Sequence, residues 1–372
     1  MRSSFRLGRI LGIEIDVHIS WLFIFVFLTW SLAEGYFPLE TVLPGRDTFV
    51  YWLLGIVASL SLFVSVLAHE LGHSIIAMRN GIPVKNITLF IFGGASNITK
   101  EAETPGAEFR MALTGPLVSF ILSGLLFLIF FATGREATAL NAVVIYLAQI
   151  NLVLGVFNLL PGFPLDGGRV FRSILWKISN DEAKATKIAA GTGQVIAYIL
   201  IFGGIALAFV IGISGLWLAL IGWFLASAAT ASYQQSILSE SLKGTKVKEI
   251  SKYSVATATD DLTIEQAMTM MLGHAQRALP VIVNGKMAGL LSLTDVKKVP
   301  KESWPHETIV RIMTPISEVQ AVSPEDELMT AFELLQSTGF NQVAVLQNDV
   351  FKGFVSRADL LQYIKMKHDL TK

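Results

Sequence analysis

Between residues 50 and 78 the chain is almost wholly apolar, yet three ionisable side chains, His69, Glu70 and His73, stand near the end of the run. A stretch of that length is read as a helix crossing a bilayer, which needs ~20 apolar residues. Ionisable groups inside such a helix are expensive unless they meet a compensating partner. Residues four apart share a helix face, so His69 and His73 can bind one metal ion together. Glu70, next in sequence, can then accept a proton from a water that the metal activates. The pattern reads as a hydrolytic zinc site placed inside a membrane.

Composition agrees with a membrane protein that carries a soluble part. Of 372 residues, 52% are hydrophobic and 16% charged, against the roughly 25% charged of ordinary soluble domains. The charge is uneven and concentrates before residue 17, between 79 and 110, around 168–187 and after 240. Cysteine is absent, which excludes disulfides, thiolate ligands and cysteine nucleophiles. No cleavage site for a signal peptide follows Arg2, Arg6 and Arg9.

Six apolar spans are predicted, at 17–35, 50–78, 111–133, 139–160, 188–212 and 214–233, the last two joined by the turn Gly212-Ile213-Ser214-Gly215. With the N-terminus inside, the inner segments hold twelve Lys and Arg, Lys100 among them, and the outer segments only Arg46 and Arg135. The positive-inside rule then puts both termini in the cytoplasm of a multi-pass cell-membrane protein. The segment 81–104 is neither span nor polar loop. Its β-branched and aromatic run 87–92, followed by Gly93-Gly94, predicts a short strand beside the site or a hairpin lying on the surface.

Two imidazoles leave a zinc site incomplete, because a catalytic zinc usually has three protein ligands. The fourth span ends in a stretch from Asn158 to Gly168 that contains Pro161, Pro164, Asp166 and three glycines. Proline and glycine break the helix there, and Asp166 reaches the same inner depth as the histidines. Capping of a following helix is an equally good reading of Asp166 on this ground alone. His18, at the head of the first span, is read as a structural histidine of the interface.

Together the two motifs resemble the site-2 protease family of intramembrane zinc metalloproteases. His69 to His73 matches the family's H-E-x-x-H, and Asn158, Pro161, Pro164, Asp166 and Gly167 match its second motif in residue type and order. The resemblance covers roughly residues 5–235. It implies that His69, His73 and Asp166 ligate Zn2+, that Glu70 activates the water, and that Asn158 steadies the substrate carbonyl or oxyanion. Gly93-Gly94 resembles the family's loop beside the active site, and Gly115-Pro116 is also family-like. The implied reaction is hydrolysis of a peptide bond in a transmembrane segment of another membrane protein, in regulated intramembrane proteolysis. A transmembrane helix must unwind before attack, and an edge strand at 87–92 is expected to hold it by strand addition. There is no room between the spans for a PDZ insertion.

Residues 245–367 contain an internal repeat at a constant offset of 64, pairing Val281 with Val345, Gly289 with Gly353, Ser292 with Ser356 and Asp295 with Asp359. Each copy reads helix, strand, strand, helix, with strands at 279–283 and 287–291 in the first. A duplicated α/β unit of this kind resembles a pair of CBS domains. That resemblance implies an adenine nucleotide (ATP, ADP or AMP) between the copies, with Ser292, Asp295, Ser356 and Asp359 at its ribose and phosphate, and it also implies a capacity to dimerise. The plainer reading is that both aspartates stabilise helix N-termini.

The predicted architecture is thus a polytopic α-helical membrane protein of six transmembrane helices with a C-terminal α/β CBS pair. Its parts are a metalloprotease domain at 1–235, a linker at 236–248, and CBS domains at 249–306 and 307–372. The competing reading is a transporter or channel regulated by CBS domains; a silent scaffold is a third. Expected partners are the lipid bilayer, a single-span membrane protein and, through the CBS pair, a second copy of the chain. Basic clusters interleaved with aromatics are absent, so nucleic acid is not expected.

Overall fold

A computed structural model describes residues 4–98, 102–212, 214–242, 244–251, 255–338 and 341–370. Lys100 and Ile213, used above for orientation and for the last turn, lie outside the described residues. The chain divides into two compact units, Met1–Gln234 and Gln235–Lys372.

The first unit opens with a hairpin that sequence reading missed, β1 (Ser4–Ile10) and β2 (Ile13–His18). Helices α1 (Ser20–Ser31) and α2 (Thr48–Arg79) follow, then a second hairpin, β3 (Val84–Phe90) and β4 (Gly93–Ile98). The four strands form one sheet in chain order, with β2 and β3 parallel and the outer pairs antiparallel. A parallel pair needs a crossover, and here α1 and α2 supply it. Alternation divides the sheet into two faces. Ile13, Ile15 and Ile87 are buried against Leu67 and Leu71 of α2. On the opposite face Asn86 Nδ2 donates to Asp16 Oδ2 at 2.8 Å, and Arg6 and Arg9 pair with Glu14 at 2.5 and 2.6 Å.

Helices α3 (Pro105–Ala132), α4 (Ala139–Asn158), α5 (Asp166–Ser179), α6 (Glu182–Ile211) and α7 (Ser214–Leu242) complete the sequence of elements that begins in this unit. Among the described residues five helices are long and apolar enough to cross a membrane: Thr48–Arg79, Pro105–Ala132, Ala139–Asn158, Glu182–Val210 and Gly215–Gln234. The first expected span appears as a shorter apolar helix, Ser20–Tyr36. The cause is local: β2 continues to His18, so the first residues of the predicted span are spent in a strand. His18 Nδ1 lies 2.8 Å from Ser20 Oγ, a structural placement at the strand-to-helix corner.

The run 87–92 is a strand only to Phe90; Ile91 and Phe92 form the turn. It is also not an edge. β3 is bonded to β2 on one side and β4 on the other, so a substrate strand cannot add to it, and β4 is the outer strand on that side. A short apolar strand with glycines after it cannot reveal from sequence which of its neighbours lies outermost.

The second unit holds the duplication. Its elements are α8 (Ile264–Gly273), β5 (Ala278–Val283), β6 (Lys286–Ser292), α9 (Leu293–Val296), β7 (Thr314–Pro315), β8 (Ala321–Val322), α10 (Leu328–Thr338), β9 (Gln342–Gln347), β10 (Val350–Ser356) and α11 (Arg357–Leu370). The strands of the two copies keep the sequence offset, β5 with β9 and β6 with β10. Each copy has its own core, one around Ile264, Leu279 and Leu291 and one around Leu328, Val345 and Val355. Leu242 and Val247, in the stretch 236–248, are fully buried in the second of these cores.

Candidate metal centre

His69 and His73 lie one turn apart near the end of α2 and are each 4% exposed. Both imidazoles rest on one stripe of α3. His73 Nδ1 donates to the Met111 carbonyl at 2.7 Å, and His69 Nδ1 is 2.9 Å from Ser119 Oγ. Between them, Gly115 leaves the space the rings occupy: a Cβ there would stand 2.1 Å from His73 Nε2 and 2.6 Å from His69 Nε2. Met111, Gly115 and Ser119 are spaced by four, which brings all three to one face of α3. Only glycine at the middle position lets α2 approach so closely.

The third group comes from the break after α4. The helix stops at Asn158 and α5 begins at Asp166. The two glycines that follow Asp166 are demanded by close approach. A Cβ on Gly167 would meet the Leu159 carbonyl oxygen at 2.2 Å, and one on Gly168 would meet Gly162 C at 2.3 Å. The loop is tied to α6, since Phe163 N donates to Ala189 O at 3.2 Å. Asp166 Oδ2 lies 3.0 Å from His69 Nε2 and 3.1 Å from His73 Nε2, while the two Nε2 atoms are 3.2 Å apart. Capping does not account for this direction, because the N-cap of α5 is Leu165, without a side-chain bond.

The donor set suits a zinc ion. A carbonyl only accepts, so the Met111 contact puts the His73 proton on Nδ1 and leaves a lone pair on Nε2. That lone pair points at another imidazole nitrogen and at a carboxylate oxygen, a convergence of acceptors that a cation reconciles. Ligands at ~2.0–2.1 Å around a tetrahedral zinc stand roughly 3.3 Å apart, close to the three separations found. Among the described residues this is the one group of three or more His, Cys, Asp or Glu side chains able to hold a metal.

Glu70 is half-buried and faces β4. Ser96 Oγ donates to its Oε2 at 2.6 Å, and Ser74 Oγ donates in turn to Ser96 Oγ at 3.2 Å. Gly94 presses on the same side chain, since a Cβ there would meet Glu70 Cγ at 2.6 Å. Asn158 is half-buried at the end of α4, and its amide is hydrogen-bonded to none of His69, Glu70, His73 and Asp166. Sequence reading missed Met111, Ser119, Ser96 and the buried pair Glu108 and Arg172. The signal available was small residues at spacing four in a span otherwise made of Leu, Ile and Phe.

In the second unit a cleft of about 870 Å³ opens between the two copies. Arg277 and His274 come from the first copy, and Gln342, Ser356, Arg357 and Asp359 from the second. Ser292 and Asp295 do not line it. Both Ser–Asp pairs close on themselves: Ser292 Oγ donates to Asp295 Oδ2 at 2.6 Å, and Ser356 Oγ donates to Asp359 Oδ2. Burial pushes the Asp295 carboxyl up, but the bonds from Ser292 and Lys298 outweigh it and hold it below the usual carboxylate range. Lys298 Nζ stands 2.9 Å from Asp295 Oδ1.

Comparison with known proteins places these sites in context. The profile of peptidase family M50 matches residues 57–140 and 134–200, and that of the CBS domain matches 247–302 and 309–366. The chain is 36% identical over 375 residues to the putative zinc metalloprotease Rip3 of Mycobacterium tuberculosis, covering 98% of this chain and 93% of the relative. It is 30% identical over 376 residues to the zinc metalloprotease MJ0392 of Methanocaldococcus jannaschii, covering 100% of this chain and 99% of the relative. Among solved structures it resembles a site-2 protease from Methanocaldococcus jannaschii, at 33% identity and a TM-score of 0.43 over 62% of this chain and 95% of that one.

Proposed function

The chain belongs to peptidase family M50, the site-2 proteases, as a multi-pass zinc metalloprotease with a CBS pair, and on that premise we propose which residues do its chemistry and on what. Membership displaces the transporter, channel and scaffold readings. His69, His73 and Asp166 hold the zinc, Glu70 is the general base, and the substrate is a transmembrane segment of a single-span membrane protein. The observation that carries this is the convergence of three donor atoms, from two separate helices, within 3.0–3.2 Å of one another.

Zinc, when bound, supplies Lewis acidity that makes water a nucleophile near neutral pH and polarises a carbonyl. The chain's own groups do the rest. Glu70 takes a proton from the attacking water and returns it to the leaving nitrogen. Ser96 fixes which carboxylate oxygen of Glu70 is free to do so, because it occupies Oε2. The Asn158 amide, without a partner among the site residues, is available to the oxygen of the scissile carbonyl. The substrate helix unwinds to expose a peptide bond, and the outer strand β4, which carries Gly94 and Ser96 against Glu70, receives it by strand addition.

The cleft between the CBS copies takes an adenine nucleotide (ATP, ADP or AMP). Arg277 and Arg357 meet the phosphates, Ser356 and Asp359 the ribose, and Ser292 and Asp295 act at the corresponding place of the first copy. Its occupancy gates cleavage. Both termini face the cytoplasm of the cell membrane, and the CBS pair can join two copies of the chain.

The decisive experiment is elemental analysis of the purified chain and of Asp166→Ala, with cleavage of a single-span reporter in proteoliposomes. About one zinc per wild-type chain, lost together with cleavage in the variant, supports the assignment. Wild-type protein that cleaves without any divalent ion, or Asp166→Ala that keeps its zinc, overturns it.

A further inference from the structure

Away from the reacting groups, α3 and α5 share a charge pair withdrawn from solvent. Glu108, in the first turn of α3, is fully buried, and Arg172 of α5 is 5% exposed. Arg172 Nε donates to Glu108 Oε1 at 2.7 Å, and its Nη2 donates to the same oxygen. Arg169 Nε stands 3.9 Å from that oxygen. The Arg172 guanidinium also lies 5.4 Å from the centre of the Phe163 ring, in the loop between α4 and α5. One pair therefore touches α3, α5 and the loop that delivers Asp166.

Desolvating two charges commonly costs as much as their attraction returns, and an apolar pair of equal volume would often stabilise more. Stability alone is thus a poor reason for the pair. What it supplies is direction, because a guanidinium fork accepts a carboxylate in few geometries. Both helices need that direction. α3 carries Met111, Gly115 and Ser119 against the two imidazoles, and Glu108 stands one turn before Met111. α5 starts at Asp166, less than two turns before Arg172. Among the described residues the Asp166 carboxylate makes side-chain hydrogen bonds only to the two imidazoles.

We propose that Glu108 and Arg172 are positioning residues of the metal centre, fixing α5 in rotation against α3 so that Asp166 Oδ2 meets both imidazole Nε2 atoms. This rests on the zinc reading above. A rotation of α5 by a fraction of a turn would swing the carboxylate away from the histidines while leaving the histidines on α3.

The test uses full-length protein in detergent, stripped and reloaded with Zn2+ alone against a competing chelator, and in parallel with Co2+ alone, whose visible spectrum reports ligand geometry. Glu108→Gln and Arg172→Met should weaken zinc binding about tenfold or more and change the cobalt bands, with helical circular dichroism retained. Arg172→Lys, which keeps the charge but not the fork, should fall between these and wild type. Unchanged zinc affinity and an unchanged cobalt spectrum in Glu108→Gln and Arg172→Met would overturn the proposal. Should those two fail to fold, Arg172→Lys and Glu108→Asp decide it: a shifted cobalt spectrum supports the role and a wild-type spectrum removes it. Wild-type protein that binds neither ion would sink the metal site itself, which separates the two failures.

Discussion

Gly115 lies so close beneath His73 that a methyl group on its Cα would stand 2.1 Å from the imidazole Nε2. The atom displaced is the one that points at Asp166. Gly115→Ala should therefore cost the chain its zinc and at least 100-fold in cleavage, while α3 itself gains helix propensity of about 1 kcal/mol. Metal content beside circular dichroism checks this; a fully loaded Gly115→Ala protein would mean α2 can back away from α3.

Ser119 offers the partner for His69 Nδ1, at 2.9 Å. Partners of this kind fix ring orientation, and their loss typically lowers metal affinity 10–100-fold. Ser119→Ala should bind zinc more weakly by that factor yet regain full activity in excess zinc.

Glu70→Gln should keep the metal and lose cleavage by about 10³-fold, within the range of general base catalysis. Ser96→Ala should lower kcat about tenfold and leave zinc content unchanged, because its hydroxyl touches Glu70 and no ligand. Loss of zinc in Ser96→Ala would show that β4 supports the histidines rather than the base.

AMP or ATP at 100 times its dissociation constant should stabilise the CBS unit by about 2.7 kcal/mol, seen as a rise in melting temperature. Asp359→Asn should abolish the rise, since Asp359 lines the cleft, whereas Asp295→Asn should reduce it less. Equal effects would place a second nucleotide at the first copy.

The bonds that hold the Asp295 carboxyl below its usual range give the CBS unit a stability that depends on pH. A carboxyl depressed in the folded state contributes fully above its unfolded value of about 4 and loses that contribution as pH falls through the folded value. Acid titration of unfolding should therefore be flatter for Asp295→Asn than for wild type below about pH 4. Identical slopes would show that Ser292 and Lys298 do not bind the ionised form preferentially.

The sequence made the donor set legible because zinc chemistry restricts residue types and helix geometry restricts spacing. His69 and His73 announce themselves four apart in an apolar run, and Asp166 stands out where prolines and glycines break a span. The strands of the duplicated unit were legible too, since alternation and the constant offset constrain them twice over. The N-terminal hairpin was hidden because Arg2, Arg6 and Arg9 read equally well as basic residues before a span. The place of β3 inside its sheet could not be read, as pairing partners lie far off in the chain. Glu108 and Arg172 sit 64 positions apart and became a pair only once α3 and α5 were side by side.

Asp166 is synthesised 97 residues after His69 and 93 after His73. A nascent chain threading into the bilayer therefore exposes two imidazoles long before it owns a carboxylate to complete them. On the proposed ligand assignment the three-donor set is incomplete until α5, which begins at Asp166, has been made.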